Sequence, residues 1–313
     1  MEAVRQPVCL LLSATCVLLT AIIPMVLMHN LGEDGRIARD SGLAFHLVFG
    51  LFISGYAACS SLSREMHSGT AAVVLSKPVD RALFFLAKYA GVTVLVFLFS
   101  ACACISTLLA ERTAERFISN STLLGYVTDW QTGKMLIGAP FVAFLLAGII
   151  NYRWKKSFQS SAFFLLFGCL VVVLLVSGLF DQAGRWAPYS LHIQHRIVPG
   201  GILVTLALLV LAAIALAFST RLSIVPTMTL TGAFFVIGLL SDHWFGKLAA
   251  ESAVGRCLYG IVPNWQNFWC ADYLARGGTI PMGVLWGTAV YALAYTGAVL
   301  CLGVLSFRSA EIK

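Results

Sequence analysis

Long apolar runs separated by short polar segments organise the 313-residue chain. A helix needs about 20 mostly apolar residues to cross the hydrocarbon core of a bilayer. Eight runs approach or exceed that length: 8–28, 43–62, 83–109, 135–150, 160–180, 201–218, 222–240 and 284–305. The fourth is the shortest. Ser219-Thr220-Arg221, followed by Pro226, divides the sixth run from the seventh and predicts a tight turn. The first run exceeds the 7–15-residue apolar core of a secretory signal and is read as a retained spanning helix. None has the roughly ten-residue alternation of a membrane barrel. The pattern predicts an all-α, polytopic helical bundle of about eight transmembrane helices (six to eight), forming one transmembrane domain over 1–313.

Composition agrees: 59% of residues are hydrophobic and 11% charged, against about 25% charged in soluble domains. The net charge of +7 has a more specific use. With alternating helices and a cytoplasmic N-terminus, one side of the membrane holds eleven of the 21 Lys and Arg but four of the 14 acidic residues. The other side holds ten of each, over about twice the length. All of the net charge therefore falls on one face, which the positive-inside rule makes cytoplasmic, with both termini there. Such a distribution needs membrane lipid as its partner and no nucleic acid. Most of the nine cysteines lie inside apolar runs, where they read as small packing residues. The outer loops include a 43-residue stretch, 241–283, with Trp244, Trp265 and Trp269 as candidates for an aromatic belt. Its segment LAAESAVGRCLYGIV predicts an interfacial or re-entrant helix rather than a folded domain.

One inner segment stands apart. Residues 61–81 read SLSREMHSGTAAVVLSKPVDR, a charged, helix-capable stretch between the second and third runs. Ser68 is a candidate N-cap for a short helix Gly69–Leu75 whose Ala71, Val74 and Leu75 share one face. Lys77-Pro78 ends it, because a residue before proline avoids the α region. Asp80 can then cap the next helix. By residue pattern alone this is either a loop resting on the lipid surface or a docking helix for a cytoplasmic partner.

The string Arg64-Glu65, Gly69-Thr70, Ser76, Pro78, Arg81 and Lys88 resembles the ABC-2 type permease family, the membrane subunits of ATP-binding-cassette transporters. The terminal YALAYTGAVLCLGVLSFRSAEI resembles that family's last helix, and Ile261-Val262-Pro263 to Phe268 looks like the stretch before it. The resemblance covers about two-thirds of the chain, and its specific part is the segment 63–82. It implies that this segment is a coupling helix contacting a cytoplasmic ABC ATPase through Arg64, Glu65, Gly69, Thr70, Ala71, Val74, Leu75, Pro78 and Arg81. It also implies a second permease copy or a related permease, a bacterial inner-membrane location, and movement or export of a substrate that the sequence does not specify. The commonest members have six spanning helices, so the count of eight is a departure, and the extra pair is assigned to 201–240.

A phosphate-cradling Walker loop needs GxxxxGK[ST]. Gly133-Lys134 and Gly246-Lys247 have neither the upstream glycine nor the hydroxyl. No cofactor is therefore expected on this chain, and ATP is expected on the separate ATPase.

Other candidates are weaker. Ser223, Thr227 and Thr231 recur along one face and read as packing or as lining of a transport pathway. Gly283 and Gly287 would allow close helix approach. Cys257 and Cys270 share the longest outer loop and could form a disulfide. His192 and His195 make a poor metal pair without a carboxylate or thiolate nearby, so no metal site is expected. His46, four residues inside the second run, is expected to snorkel to the interface. Two alternatives to a transporter remain open. One is a non-transporting membrane scaffold for an ATPase in envelope assembly. The other is a membrane-embedded enzyme acting on a lipid-linked substrate through Asp181, His192 and His195.

Overall fold

The computed structural model describes residues 5–26, 35–67, 80–120, 123–180, 186, 195–270, 273–274 and 278–309, with backbone alone at 64–67, 116–120, 123–126, 247–251, 254, 257 and 258. The elements are α1 (Pro7–Val26), α2 (Arg36–His67), α3 (Arg81–Thr113), β1 (Arg116–Asn120), β2 (Leu123–Val127), α4 (Trp130–Trp154), α5 (Phe158–Gly178), α6 (Val198–Phe218), α7 (Ile224–Leu239), α8 (Ser241–Glu251), α9 (Ala253–Ile261) and α10 (Met282–Arg308). Two 3-10 turns, His195–Ile197 and Trp265–Phe268, precede α6 and follow α9. The chain is a polytopic helical membrane bundle. Among the described residues its two strands form an antiparallel hairpin pairing Arg116 with Val127 and Asn120 with Leu123.

Seven of the helices are long and apolar enough to cross a membrane, all except α7, α8 and α9. The predicted span 222–240 appears as α7, which is 16 residues long. At 1.5 Å per residue it reaches about 24 Å, short of the roughly 30 Å hydrocarbon core.

Local chemistry explains the boundaries. Asp80 caps α3 as expected: its carboxylate accepts from the Ala82 amide at 3.3 Å and its carbonyl from the Phe84 amide at 3.1 Å. α2 begins several residues before its apolar run, where Arg36 and Asp40 pair one turn apart at 3.6 Å. Asp129 caps α4, accepting from Thr132 N at 3.0 Å. That helix ends on Lys155, whose φ of 55° puts a non-glycine residue in the left-handed region, with its amide bonded to Asn151 O at 3.0 Å. The turn at 219–221 is tight, with Arg221 N and Leu222 N both donating to Phe218 O at 3.1 Å. Pro226 falls in the first turn of α7, where a missing N–H costs nothing. Several hydroxyls inside the spans bond to their own helix, as Ser13 to Cys9 O and Thr20 to Cys16 O, because lipid supplies no partner.

The chain divides into two compact units, described separately. The first comprises 1–50, 97–201 and 271–279. Its core joins Val17 and Ala21 of α1, Cys102, Leu109 and Ala110 of α3, Leu136, Ala139 and Ala143 of α4, and Leu166, Leu170 and Val173 of α5. Alanines recur here because spanning helices gain by close approach. Gly42 is such a contact: a Cβ there would lie 2.6 Å from Thr107 Oγ1. Buried Cys9, Cys16 and Cys102 act as small packing residues, as expected.

The second unit comprises 51–96, 202–270 and 280–313. Phe307 of α10 stacks on Phe84 at 5.9 Å and packs against Phe85 at 6.0 Å. Gly303 permits this, since a Cβ there would meet the Phe85 ring at 2.5 Å. Tyr89 donates to Leu209 O at 3.2 Å, tying α3 to α6.

Candidate functional site

The residues expected to engage an ATPase lie largely beyond the described ones. Arg64 and Glu65 fall in the last turn of α2, known there as backbone only. Gly69, Thr70, Ala71, Val74, Leu75 and Pro78 lie outside the described residues. What is described is the frame from which that segment hangs, all of it within the second unit.

The frame is a cluster of cations at the C-terminus of α10. Arg81, the first residue of α3, donates through Nη1 to the Arg308 carbonyl at 3.0 Å. Arg221, in the α6–α7 turn, donates through Nη2 to the Ser306 carbonyl at 3.1 Å and to Ser309 Oγ at 2.6 Å. Its Nε approaches Ser306 Oγ at 3.3 Å, and Thr220 shares that hydroxyl at 2.9 Å. Arg308 lies 3.8 Å from Asp80. The physics is that of a helix end: the last carbonyls of α10 have no amide partner and carry the negative pole of the helix, so cations from neighbouring segments satisfy them. Asp80 and Arg81, the 219–221 turn and the end of α10 thus meet at one cluster.

At another part of the same unit, residues 241–270 hold the short helices α8 and α9 and the 3-10 turn Trp265–Phe268. Tyr295, in the middle of α10, donates to the Ile261 carbonyl that ends α9, at 2.6 Å. The end of α9 is thus tied to the midpoint of a long helix. Asp242 anchors it, accepting from Tyr259 Oη at 2.7 Å and Asn264 Nδ2 at 2.6 Å. That hydrogen bond to the Asp242 carboxylate holds the Tyr259 phenol above its ordinary pKa. Trp265 departs from the belt expectation. It is buried, with Phe235 at 5.6 Å and Phe268 at 5.9 Å. Trp244 and Trp269 are exposed.

The first unit carries a polar cluster that no sequence argument singled out. Glu111, buried in the last turn of α3, has Arg39 Nη1 and Arg196 Nη2 each 3.8 Å from Oε1. Arg39 is itself buried and bonds Asp40 at 3.1 Å. Arg112 pairs with Asp129 at 3.0 Å and also donates to the Phe180 carbonyl. Asp129 therefore caps α4, accepts from Thr132 Oγ1 at 2.7 Å and neutralises Arg112. Asp129 heading an apolar run was a legible N-cap signal. Its arginine, 17 residues earlier and across the hairpin, was not.

The remaining candidates resolve individually. Thr227 and Thr231 are buried, and their hydroxyls donate to Ser223 O at 2.9 Å and Thr227 O at 2.8 Å. Ser223 is exposed and caps α7 without a side-chain bond. The stripe is thus hydrogen-bonded along its own helix. An added Cβ at Gly283 or Gly287 would meet nothing within 4 Å, so neither marks a close contact. The Cys257 side chain, His192 and Asp181 lie outside the described residues, and with them the Cys257–Cys270 pairing and the His192–His195 pair; His195 is exposed. His46 does not snorkel. It is fully buried, edge-on to Phe99 at 5.6 Å, with neither ring nitrogen hydrogen-bonded. Because α2 starts at Arg36, His46 is about 15 Å along the helix instead of near its end.

Comparison of the chain with protein-family models, with curated proteins and with solved structures gives no match.

Proposed function

We propose that this chain is the permease subunit of an ATP-binding-cassette transporter, with the ATPase on a separate polypeptide and a second permease completing the pathway. Segment 63–82 is then the coupling element on the cytoplasmic face of a bacterial inner membrane, with both termini on that face. The reading rests first on the Arg64–Lys88 motif and its resemblance to ABC-2 type permeases. One structural observation carries it further. The residue at the exit of the segment, Arg81, is tied to the last carbonyl of α10, and the Asp80 carboxylate that caps α3 lies beside Arg308. Force applied to residues 68–79 by a partner would reach α2 and α3 directly, and α10 through this junction. A loose surface loop would have no such connection. ATP closure of an ATPase dimer would tilt these helices together, which is the mechanical step that transport requires.

The test replaces Gly69–Leu75 with a flexible Gly/Ser segment of equal length. Co-purification of the ATPase is expected to be lost while membrane insertion and detergent elution stay unchanged. Full retention of the ATPase would overturn the coupling role.

A further inference from the structure

Between α6, α7, α9 and α10 of the second unit lies a groove of about 490 Å³. Its walls include Ala217, Phe218, Phe234, Ile261, Val299 and Leu302, with Phe218 and Phe234 edge-to-face at 6.3 Å. Two polar side chains line it, and both are already engaged. Tyr295 gives its hydroxyl to Ile261 O at 2.6 Å, and Ser306 shares its own with Thr220 at 2.9 Å. A polar occupant would find no partner inside, and burying it unpaired is costly. The groove is therefore built for hydrocarbon.

Its length and ends narrow the choice. From Tyr295 to Ser306 it follows α10 for about 16 Å, close to half the ~30 Å core and so to the depth of one leaflet. At mid-depth the groove stops against Gly260 and Ile261 of α9. At the other end it reaches Ser306 and hence Arg221, whose bonds among the described residues go only to the neutral oxygens of Ser306 and Ser309. Arg308 and Arg81 adjoin, with Asp80 as the acidic neighbour among the described residues.

We propose that the groove holds one acyl chain of an anionic phospholipid, with the lipid phosphate on the Arg221 guanidinium. The chain fills a slot one leaflet deep, and the phosphate meets Arg221, whose partners among the described residues are neutral oxygens. Arginine suits this role because its planar fork can bond a phosphate while its other donors stay on the helix end. The site does not depend on the transport reading, since it needs only that the Arg221 end face a lipid headgroup layer.

The experiment uses the full chain in detergent, incubated with phosphatidylglycerol or phosphatidylcholine of matched chains, with bound lipid counted by native mass spectrometry. One phosphatidylglycerol per chain is expected, preferred over phosphatidylcholine by about fivefold, the effect of one cation near a headgroup. Arg221→Gln should abolish the preference and Arg221→Lys retain it, which separates charge from the helix-capping role of this side chain. Ala298→Trp or Leu302→Trp, each filling the groove from an exposed position, should remove both lipids with elution and melting temperature unchanged. Equal retention of the two headgroups by the wild-type chain would overturn the proposal. So would wild-type binding in both tryptophan variants, or a disulfide between two chains through Ala298→Cys, which would assign the groove to a second copy.

Discussion

Two clusters of arginine, one in each unit, handle charge in opposite ways. In the first unit Arg39, Arg112, Glu111 and Asp129 are buried and face opposite charges among themselves, Arg112–Asp129 at 3.0 Å and Arg39–Glu111 at 3.8 Å. In the second, Arg81, Arg221 and Arg308 are exposed and reach carbonyls, serine hydroxyls and one exposed carboxylate at a helix end. A buried ion withdrawn from its partner cannot recover its hydration, so the first cluster is rigid by necessity. An exposed guanidinium exchanges a carbonyl for water or phosphate at small cost, so the second can change partners. A joint beside a moving coupling segment needs the second kind of chemistry. A connection between long helices and a hairpin needs the first.

The sharpest way to break this contrast is Asp129→Ala. It strands buried Arg112 and removes the α4 cap together, and should cost about 3–5 kcal/mol in denaturation in micelles. A loss below about 1 kcal/mol, the scale of an exposed pair, would mean that the buried cluster is no firmer than the exposed one. Arg308→Ala comes next. Its pair with Asp80 is more than half exposed on both sides at 3.8 Å, so the loss should be about 0–1 kcal/mol and should vanish in high salt. The smallest effect concerns Tyr259. The hydrogen bond to Asp242 raises its pKa, so the stabilisation is fully present below the ordinary tyrosine value near 10 and is lost as pH rises through the higher folded value. A spectrophotometric titration of wild type against Tyr259→Phe should find this phenol ionising above pH 10, and Asp242→Ala should bring it down. Unchanged titration in Asp242→Ala would remove the carboxylate as the cause.

Much of the fold was readable because lipid imposes a single rule on the backbone. Any segment crossing it must be helical and apolar, so all seven long helices overlap runs visible in the sequence. Local signals with short range also held, among them the Asp80 cap and the turn at 219–221. Readings failed where a residue's environment came from far along the chain. His46 looked close to the interface, yet it is fully buried, edge-on to Phe99 of α3. Trp265 looked like a belt residue, yet it packs where Gly238 leaves room for its ring, with Pro263 O and Trp265 Nε1 both within 2.5 Å of an added Cβ. The hairpin at 116–127 lacks an apolar run to announce it.

Hydropathy and charge asymmetry were sufficient for membrane class, helix order and the expected inner face, because transfer free energies depend on residue type and the positive-inside bias on simple position. The capping of α10 by Arg81 and Arg221, the Arg39–Glu111–Arg196 contact and the one-leaflet groove required the folded chain. Each joins residues dozens to hundreds of positions apart, and only packing decides which unsatisfied carbonyl or carboxylate a distant guanidinium will find.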